Sequence, residues 1–292
     1  MLKKLPNILL VTLLCLAGLV IGWQAVSQTG DGSYQRIDIN PSQFFPEKFY
    51  PSLETGELPD WCQNEFTAGI TSHHDLASPL IGQFFRCLAE RNNPQTIIII
   101  GPNHFQQGSR AILSGKNAWQ TPFGRLAVDQ DKLALLSQSE LLEISDQAIS
   151  RDHAVSFLAP YLKYFFPEAK MVPLLLRFDY TQPEAEQGIA WLDKIIDENT
   201  FLLGSIDFSH YLSLEQAEKN DKVSQQIIDK FYLPEIYRYQ DDHYDSAPGL
   251  FTILSWLSEQ GMTNAYQLNH GNSFDFNQKP FNTTSYFSWL FN

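Results

Sequence analysis

The sequence predicts an α/β protein: a single domain on a mostly parallel central sheet, with helices covering both faces. Three observations carry this. Apolar runs of strand length, "TIIIIG", "MVPLLLR" and "TFLLGSI", show no polar alternation, as expected of strands buried on both sides. They alternate with segments whose apolar residues recur at helical spacing. Finally, 292 residues with 21 Phe, 12 Tyr and 6 Trp can fill a large core, and no repeat or low-complexity tract divides the chain.

The elements follow in order. Residues 28–61 are rich in Pro, Gly and Ser with scattered aromatics ("NPSQFFPEKFYPSLETGELPDW"), which predicts a tether that becomes an ordered arm on the domain at 62–292. "FTAGITS" (66–72) is a strand and "PLIGQFFRCLAER" (79–91) a helix. "QTIIIIG" is the next strand, "RLAVD" (125–129) a short one, and "DKLALLSQS" a helix. "AVSFLAPYLKYFF" (154–166) reads as one helix, "MVPLLLR" (171–177) as a strand, "EAEQGIAWLDKII" as a helix and "TFLLGSI" (200–206) as a buried strand. "LEQAEKNDKVSQQIIDKFY" is an amphipathic helix, and "APGLFTILSWLSEQ" a helix with Pro248 in its first turn, where a missing N–H does no harm. "NAYQLN" and "TSYFSWLF" are the last strands.

The N-terminus has Lys3 and Lys4 before a run from Ile8 to Trp23 without a charged residue. Residues 1–27 therefore read as a membrane anchor with the lysines on the cytoplasmic side, or as a signal peptide cleaved near "AVSQ". Either reading predicts an exported domain, tethered to the membrane in the first case and secreted in the second. Cys15 lies inside this run, and Leu14 before it rules out a lipobox. Cys62 and Cys87 remain, as one disulfide or as two buried thiols, and their spacing fits no zinc pattern. A net charge of −13 without a basic cluster argues against a nucleic-acid partner. Oligomeric state leaves no signature in the sequence.

Function is suggested by where the strands lead. "FTAGITS" runs into His73 and His74, "TIIIIG" into Asn103 and His104, and "TFLLGSI" into Asp207 and His210 of "DFSH". In a parallel sheet these C-terminal ends lie on one edge, beside the crevice where ligands bind. His243 sits in "DDHYDSAP", before a helix start. Imidazoles with a carboxylate are ligands for Zn(II), Fe(II) or Cu(II). A single histidine past a strand is more often a hydrogen-bonded loop residue; several converging on one edge favour a metal. Asp207, three residues before His210, is expected to orient it or to be an ordinary turn aspartate. His74 should point to the opposite side from His73 and serve as a rim residue.

"GITSHHDLAS", "IIIIGPNH", "WQTPFGRLAVD", "RDHAVSFLAPYL", "KMVPLLL" and "GSIDFSHY", in this order, resemble the Memo family (protein B of the AmmeMemoRadiSam set), from about Ala68 to the C-terminus. The resemblance implies a fold similar to class III extradiol dioxygenases. It places His73 and His104 at the metal-ligand histidines and His210 at a third pocket histidine. The family's Glu-His-Ser motif appears as Asp152-His153-Ala154. Some members carry a Cys before the Pro-containing helix; here the text is "HYDSAPG", so Asp245 is the expected third ligand, with His243 and Tyr244 as neighbours able to replace it. Two histidines and a carboxylate suit Fe(II) with open positions, and losing the thiolate weakens the case for Cu(I) while leaving Cu(II) and Zn(II). Trp119, Thr121 and Pro122 are expected to shape a loop over the pocket, and Asp152 to cap the helix that His153 opens.

These residues would serve a metal-dependent oxidoreductase with His210 as acid/base, or a metallohydrolase. The alternative is a module that holds metal, peptide or small molecule in the same crevice without turnover; a third reading makes the histidines purely structural.

Overall fold

A computed structural model describes residues 39–292. The anchor or signal segment and most of the tether lie outside the described residues. Among those described, no helix is long and apolar enough to cross a membrane.

The core forms around the four isoleucines. Strand β1 (Asn40–Pro41) belongs to the arm, β2 (Ala68–Thr71) to the domain, and β3 (Thr96–Pro102) contains Ile97–Ile100. Successive side chains of a strand point to opposite faces. Ile97 and Ile99 enter one apolar layer with Phe84, Phe85, Tyr161 and Leu175, whereas Ile98 and Ile100 enter another with Val172, Leu174, Ile253 and Leu254. An uninterrupted apolar run is what a strand between two such layers requires.

Further strands are β4 (Ile112–Ser114), β5 (Trp119–Thr121), β6 (Gly124–Leu126), β7 (Leu142–Ile144), β8 (Lys170–Leu176), β9 (Thr200–Ser205), β10 (Phe208–Leu212), β11 (Ala265–Asn272) and β12 (Thr283–Phe291). The nine-stranded main sheet runs β10-β12-β2-β9-β3-β8-β4-β7, with β11 on the other edge of β12. Its centre, β2-β9-β3-β8, is parallel, as expected. The flanks turn antiparallel where β12 meets β2 and β4 meets β8. Helices Ser78–Ala89 and Ala159–Phe165 cover one face; Gln182–Ile195 and Ala247–Glu259 pack into the layer on the other.

Three local expectations are corrected. Residues 154–166 form two short helices, His153–Ser156 and Ala159–Phe165; the second starts afresh with Pro160 in its first turn, where no N–H is needed. The strand expected at 125–129 ends at Leu126, followed by a single bridge from Val128 to Met171. Trp119 does not shape a loop over the pocket. It lies in β5, fully buried in the Ile97/Ile99 layer, where β5 pairs with β1 and β6 in a small second sheet.

Among the described residues the arm carries regular structure from β1 onward. Its helix Pro46–Ser52 inserts Phe49 among Phe44, Phe123, Tyr161 and Tyr164, with ring centroids 4.6–5.4 Å apart. It rests so closely on helix Ser78–Ala89 that a Cβ at Gly82 would lie 2.3 Å from the Ser52 carbonyl oxygen. Behind the arm Cys62 and Cys87 form a disulfide, both side chains buried, which resolves the choice the sequence leaves open. The bond spans 25 residues and ties the arm's end to that helix. Replacing both cysteines with alanine should cost about 3 kcal/mol, mainly by enlarging the unfolded ensemble. Denaturant titration of the two proteins checks this, and an unchanged midpoint would contradict it.

Candidate metal centre

The strands deliver their ligands with the same offset. β2 ends at Thr71, β3 at Pro102 and β9 at Ser205. Two residues beyond each lie His73, His104 and Asp207. Parallel pairing of Thr71 with Ser205 and of Ile100 with Gly204 keeps these ends level. Gly101 lets helix His153–Ser156 close over them: a Cβ there would meet Ala154 Cβ at 3.0 Å and the Ser205 carbonyl at 3.2 Å. Asp245 arrives from the other direction, just before helix Ala247–Glu259. Its N–H donates to the Asp207 carbonyl (3.0 Å), and the Asp207 N–H donates to Asp245 Oδ1 (3.2 Å).

His73 and His104 are each held by one ring nitrogen and present the other. The Ser205 hydroxyl gives its only proton to the Ala154 carbonyl (2.6 Å). It must therefore accept from His73 Nδ1, 3.0 Å away. That turns His73 Nε2 inward, 3.2 Å from Asp245 Oδ2 and 3.7 Å from Asp207 Oδ2. Both His73 Nε2 and Asp245 Oδ2 are buried and out of line for a hydrogen bond with any described residue. His104 Nδ1 meets Asp152 Oδ1 at 2.8 Å, while Asp152 Oδ2 accepts the His104 N–H. Asp152 also caps helix His153–Ser156 through the Ala154 N–H. His104 Nε2 then lies 3.8 Å from Asp245 Oδ2. The His153 ring stacks on His104 with centroids 4.0 Å apart. Ligand atoms of His73, His104 and His153, and likewise of His73, Asp207 and Asp245, lie within 4.8 Å of one another. Either group could hold a metal ion. His73 and His104, each pinned by a hydrogen bond on the far nitrogen, match the arrangement that orients metal ligands.

Electrostatics describe the same centre without an ion. Burial alone would pull His73 down, but Asp207 and Asp245 outweigh it and raise it. Burial opposes protonation of His104 too, yet its contacts with Asp152 and Asp245 push it up to about 10. Burial would raise Asp245, but His73 and His104 hold it far below the usual carboxylate range. His153 is driven down to about 4 by burial and by its two histidine neighbours. At neutral pH the metal-free centre thus holds a charged His104 beside Asp152 and Asp245, with His153 neutral.

The remaining expected residues fall into place differently. A cleft of about 580 Å³ opens above the centre, lined among others by His74, Asn103, His153, His210 and Asp241. No residue of the arm from 39 onward lines it. His210 enters with Nδ1 buried and unpartnered among the described residues. Asp207 does not orient His210: it accepts the His73 N–H and flanks the His73 ring, because β10 begins immediately after it and carries His210 onward. His74 is a rim residue as expected, its Nδ1 capping the short turn at Leu76. Asn103 ties its own loop through Gln107. His243 cannot stand in for Asp245, since its ring lies against Tyr239 (4.1 Å) with Nδ1 beside Asp242. Nor can the Tyr244 hydroxyl, which donates to the Ile236 carbonyl. Ser205 is a partner sequence reasoning missed: a serine ending a buried strand gives no local sign of facing a histidine. Asp152 was legible as a cap and not as the His104 partner.

Three outcomes are expected. His104 is raised above its ordinary value, so its contribution to stability is full below about pH 6.5 and is lost as pH rises through about 10. The metal-free protein should lose stability across that window. Metal must displace the proton that His104 carries at neutral pH, so binding near pH 7.5 should release at least about one proton, and affinity should climb with pH. Calorimetry in buffers of different ionisation enthalpy reads this directly; release of none would contradict the ligand assignment. Asp152→Asn should weaken binding roughly 10- to 100-fold while leaving all three inward ligands in place.

Comparison with known proteins agrees with this architecture. Residues 63–289 match the family model described as Memo-like protein. A MEMO1 family protein of Methanopyrus kandleri is 29% identical over 239 residues, covering 78% of this chain and 84% of the relative. A MEMO1 family protein of Pyrobaculum aerophilum is 28% identical over 236 residues, with the same coverage of each chain. With the family model spanning most of the chain, the protein belongs to the Memo family.

Proposed function

We propose that the protein is a mononuclear metal enzyme of the non-haem, dioxygenase-like oxidoreductase type, holding its ion with His73, His104 and Asp245. The observation carrying this reading is the pair of buried, unpartnered atoms, His73 Nε2 and Asp245 Oδ2, with His104 Nε2 beside them. Unsatisfied polar atoms are costly to bury, and with the His73 ring proton on Nδ1 both atoms offer a lone pair toward one point, as a cation requires. Two histidines and a carboxylate favour Fe(II), with Zn(II) or copper as the other ions such donors hold. When bound, the ion would supply Lewis acidity and electron transfer toward a substrate in the cleft. His210 would move a proton at that substrate through its half-buried ring, and neutral His153 would accept a hydrogen bond from it. We further place the domain outside the cytoplasm, tethered by the N-terminal segment; the Cys62–Cys87 disulfide supports an oxidising compartment.

The full chain, reconstituted anaerobically with Fe(II), should carry close to one ion by mass spectrometry. A folded His73→Ala/His104→Ala variant should carry none. Oxygen uptake with a panel of aromatic diols should appear in the wild type and vanish in His210→Ala with metal retained. Metal kept by the double variant would overturn the site. Metal bound without conversion of any panel member would favour the binding-module reading, in which the same crevice only holds its ligand.

A further inference from the structure

We infer that the cleft selects an aromatic ligand bearing a positive charge, and rejects aromatic carboxylates. This rests on the reading of the cleft as a substrate site and adds the class of substrate. Among the described residues that line the cleft there are three carboxylates, Asp207, Asp241 and Asp245, and neither Lys nor Arg. A divalent ion offsets the charges of Asp207 and Asp245. Asp241 remains, so the cleft is negative toward its mouth whether or not the ion is bound. An anionic substrate would meet no cation but that ion or, without it, a His104 ring already engaged by Asp152 and Asp245, whereas an ammonium group would meet Asp241.

The aromatic half of the inference comes from the rims. Phe178 and Tyr211 both line the cleft, yet they are 72% and 76% exposed. Phe178 lies two residues past the end of β8, and Tyr211 lies in β10. β10 lies on the same edge of β12 as β2, past the end of β2, and so stands across β9 and β3 from β8, with an aromatic ring on each side of the ligand centre. Tyr211 is held there at cost. Its φ is +58°, a left-handed conformation rare for a non-glycine residue, and pairing of β10 with β12 shifts register between Phe208 and Leu212. Such irregularities re-aim a side chain beside a site. Flat rings and cations are the ligands that exposed aromatics hold by stacking and cation–π attraction.

Three probes of one shape test this on the full chain, metal-free and loaded with redox-silent Zn(II): tyramine, 2-(4-hydroxyphenyl)ethanol and 4-hydroxyphenylacetate. In the metal-free protein, where a carboxylate gains nothing by ligating an ion, tyramine should bind more tightly than the anion by at least about fivefold. Asp241→Lys should reverse that order. Phe178→Ala/Tyr211→Ala should weaken tyramine and the neutral alcohol alike. The inference is overturned if the anion binds best to the metal-free wild type. It is equally overturned if Asp241→Lys leaves the order unchanged, or if no probe binds at millimolar concentration. Zinc content of the same samples separates this from the metal-centre reading. Selective binding without stoichiometric zinc would sink the centre and keep the inference, and zinc without selectivity would do the reverse.

Discussion

Three ionisable side chains, His73, Asp207 and Asp245, are withdrawn almost wholly from water at one edge of the sheet, and the local structure is organised around that cost. An isolated buried charge is expensive, so such groups must be paired, neutralised or bound to metal. Here the histidines and carboxylates face one another, and what pairing leaves unsatisfied are two atoms, His73 Nε2 and Asp245 Oδ2, that both offer a lone pair to a cation when the ring is neutral. Removing a single member would strand the others. That makes the cluster hard to explain as decoration of a loop and natural as a cation site in which protons stand in for the ion.

The sheet supplies the accuracy such a cluster needs. Two apolar layers clamp β3 from both sides, and parallel registers hold the ends of β2, β3 and β9 level. Residues just beyond them inherit that rigidity, as positions built on a packed scaffold do. The capping aspartate of the helix closing the site is also the His104 partner, so one side chain fixes both a helix start and a ring orientation. The flexibility a substrate demands is left to the rim, where Tyr211 and Phe178 stand in solvent.

Much of this was legible in the sequence where the physics is local. Four consecutive isoleucines announce a strand buried on both faces, and the histidines after three such strands announce a shared edge. The resemblance then singled out Asp245 from its neighbours in "HYDSAPG". What stayed hidden depends on direction in space. Asp207 and His210 are close in sequence, yet a strand start between them sends one to His73 and the other to the cleft. Trp119 looked like a loop residue because the strand that orders it is only three residues long and pairs with an arm 79 positions upstream. The pairing of Cys62 with Cys87 needed the arm's path, and the Ser205–His73 bond needed two strands side by side.

The most direct test of the central claim is a crystal structure of the iron-loaded protein with anomalous scattering recorded at the iron edge. One strong peak is expected about 2.1 Å from His73 Nε2, His104 Nε2 and an oxygen of Asp245, with Asp152 and Ser205 still on the far ring nitrogens. A peak elsewhere, or none at full iron load with His73 and Asp245 closed into a direct hydrogen bond, would contradict it. The strand-end cluster would then be an ion pair that holds the fold and not a centre that serves a reaction.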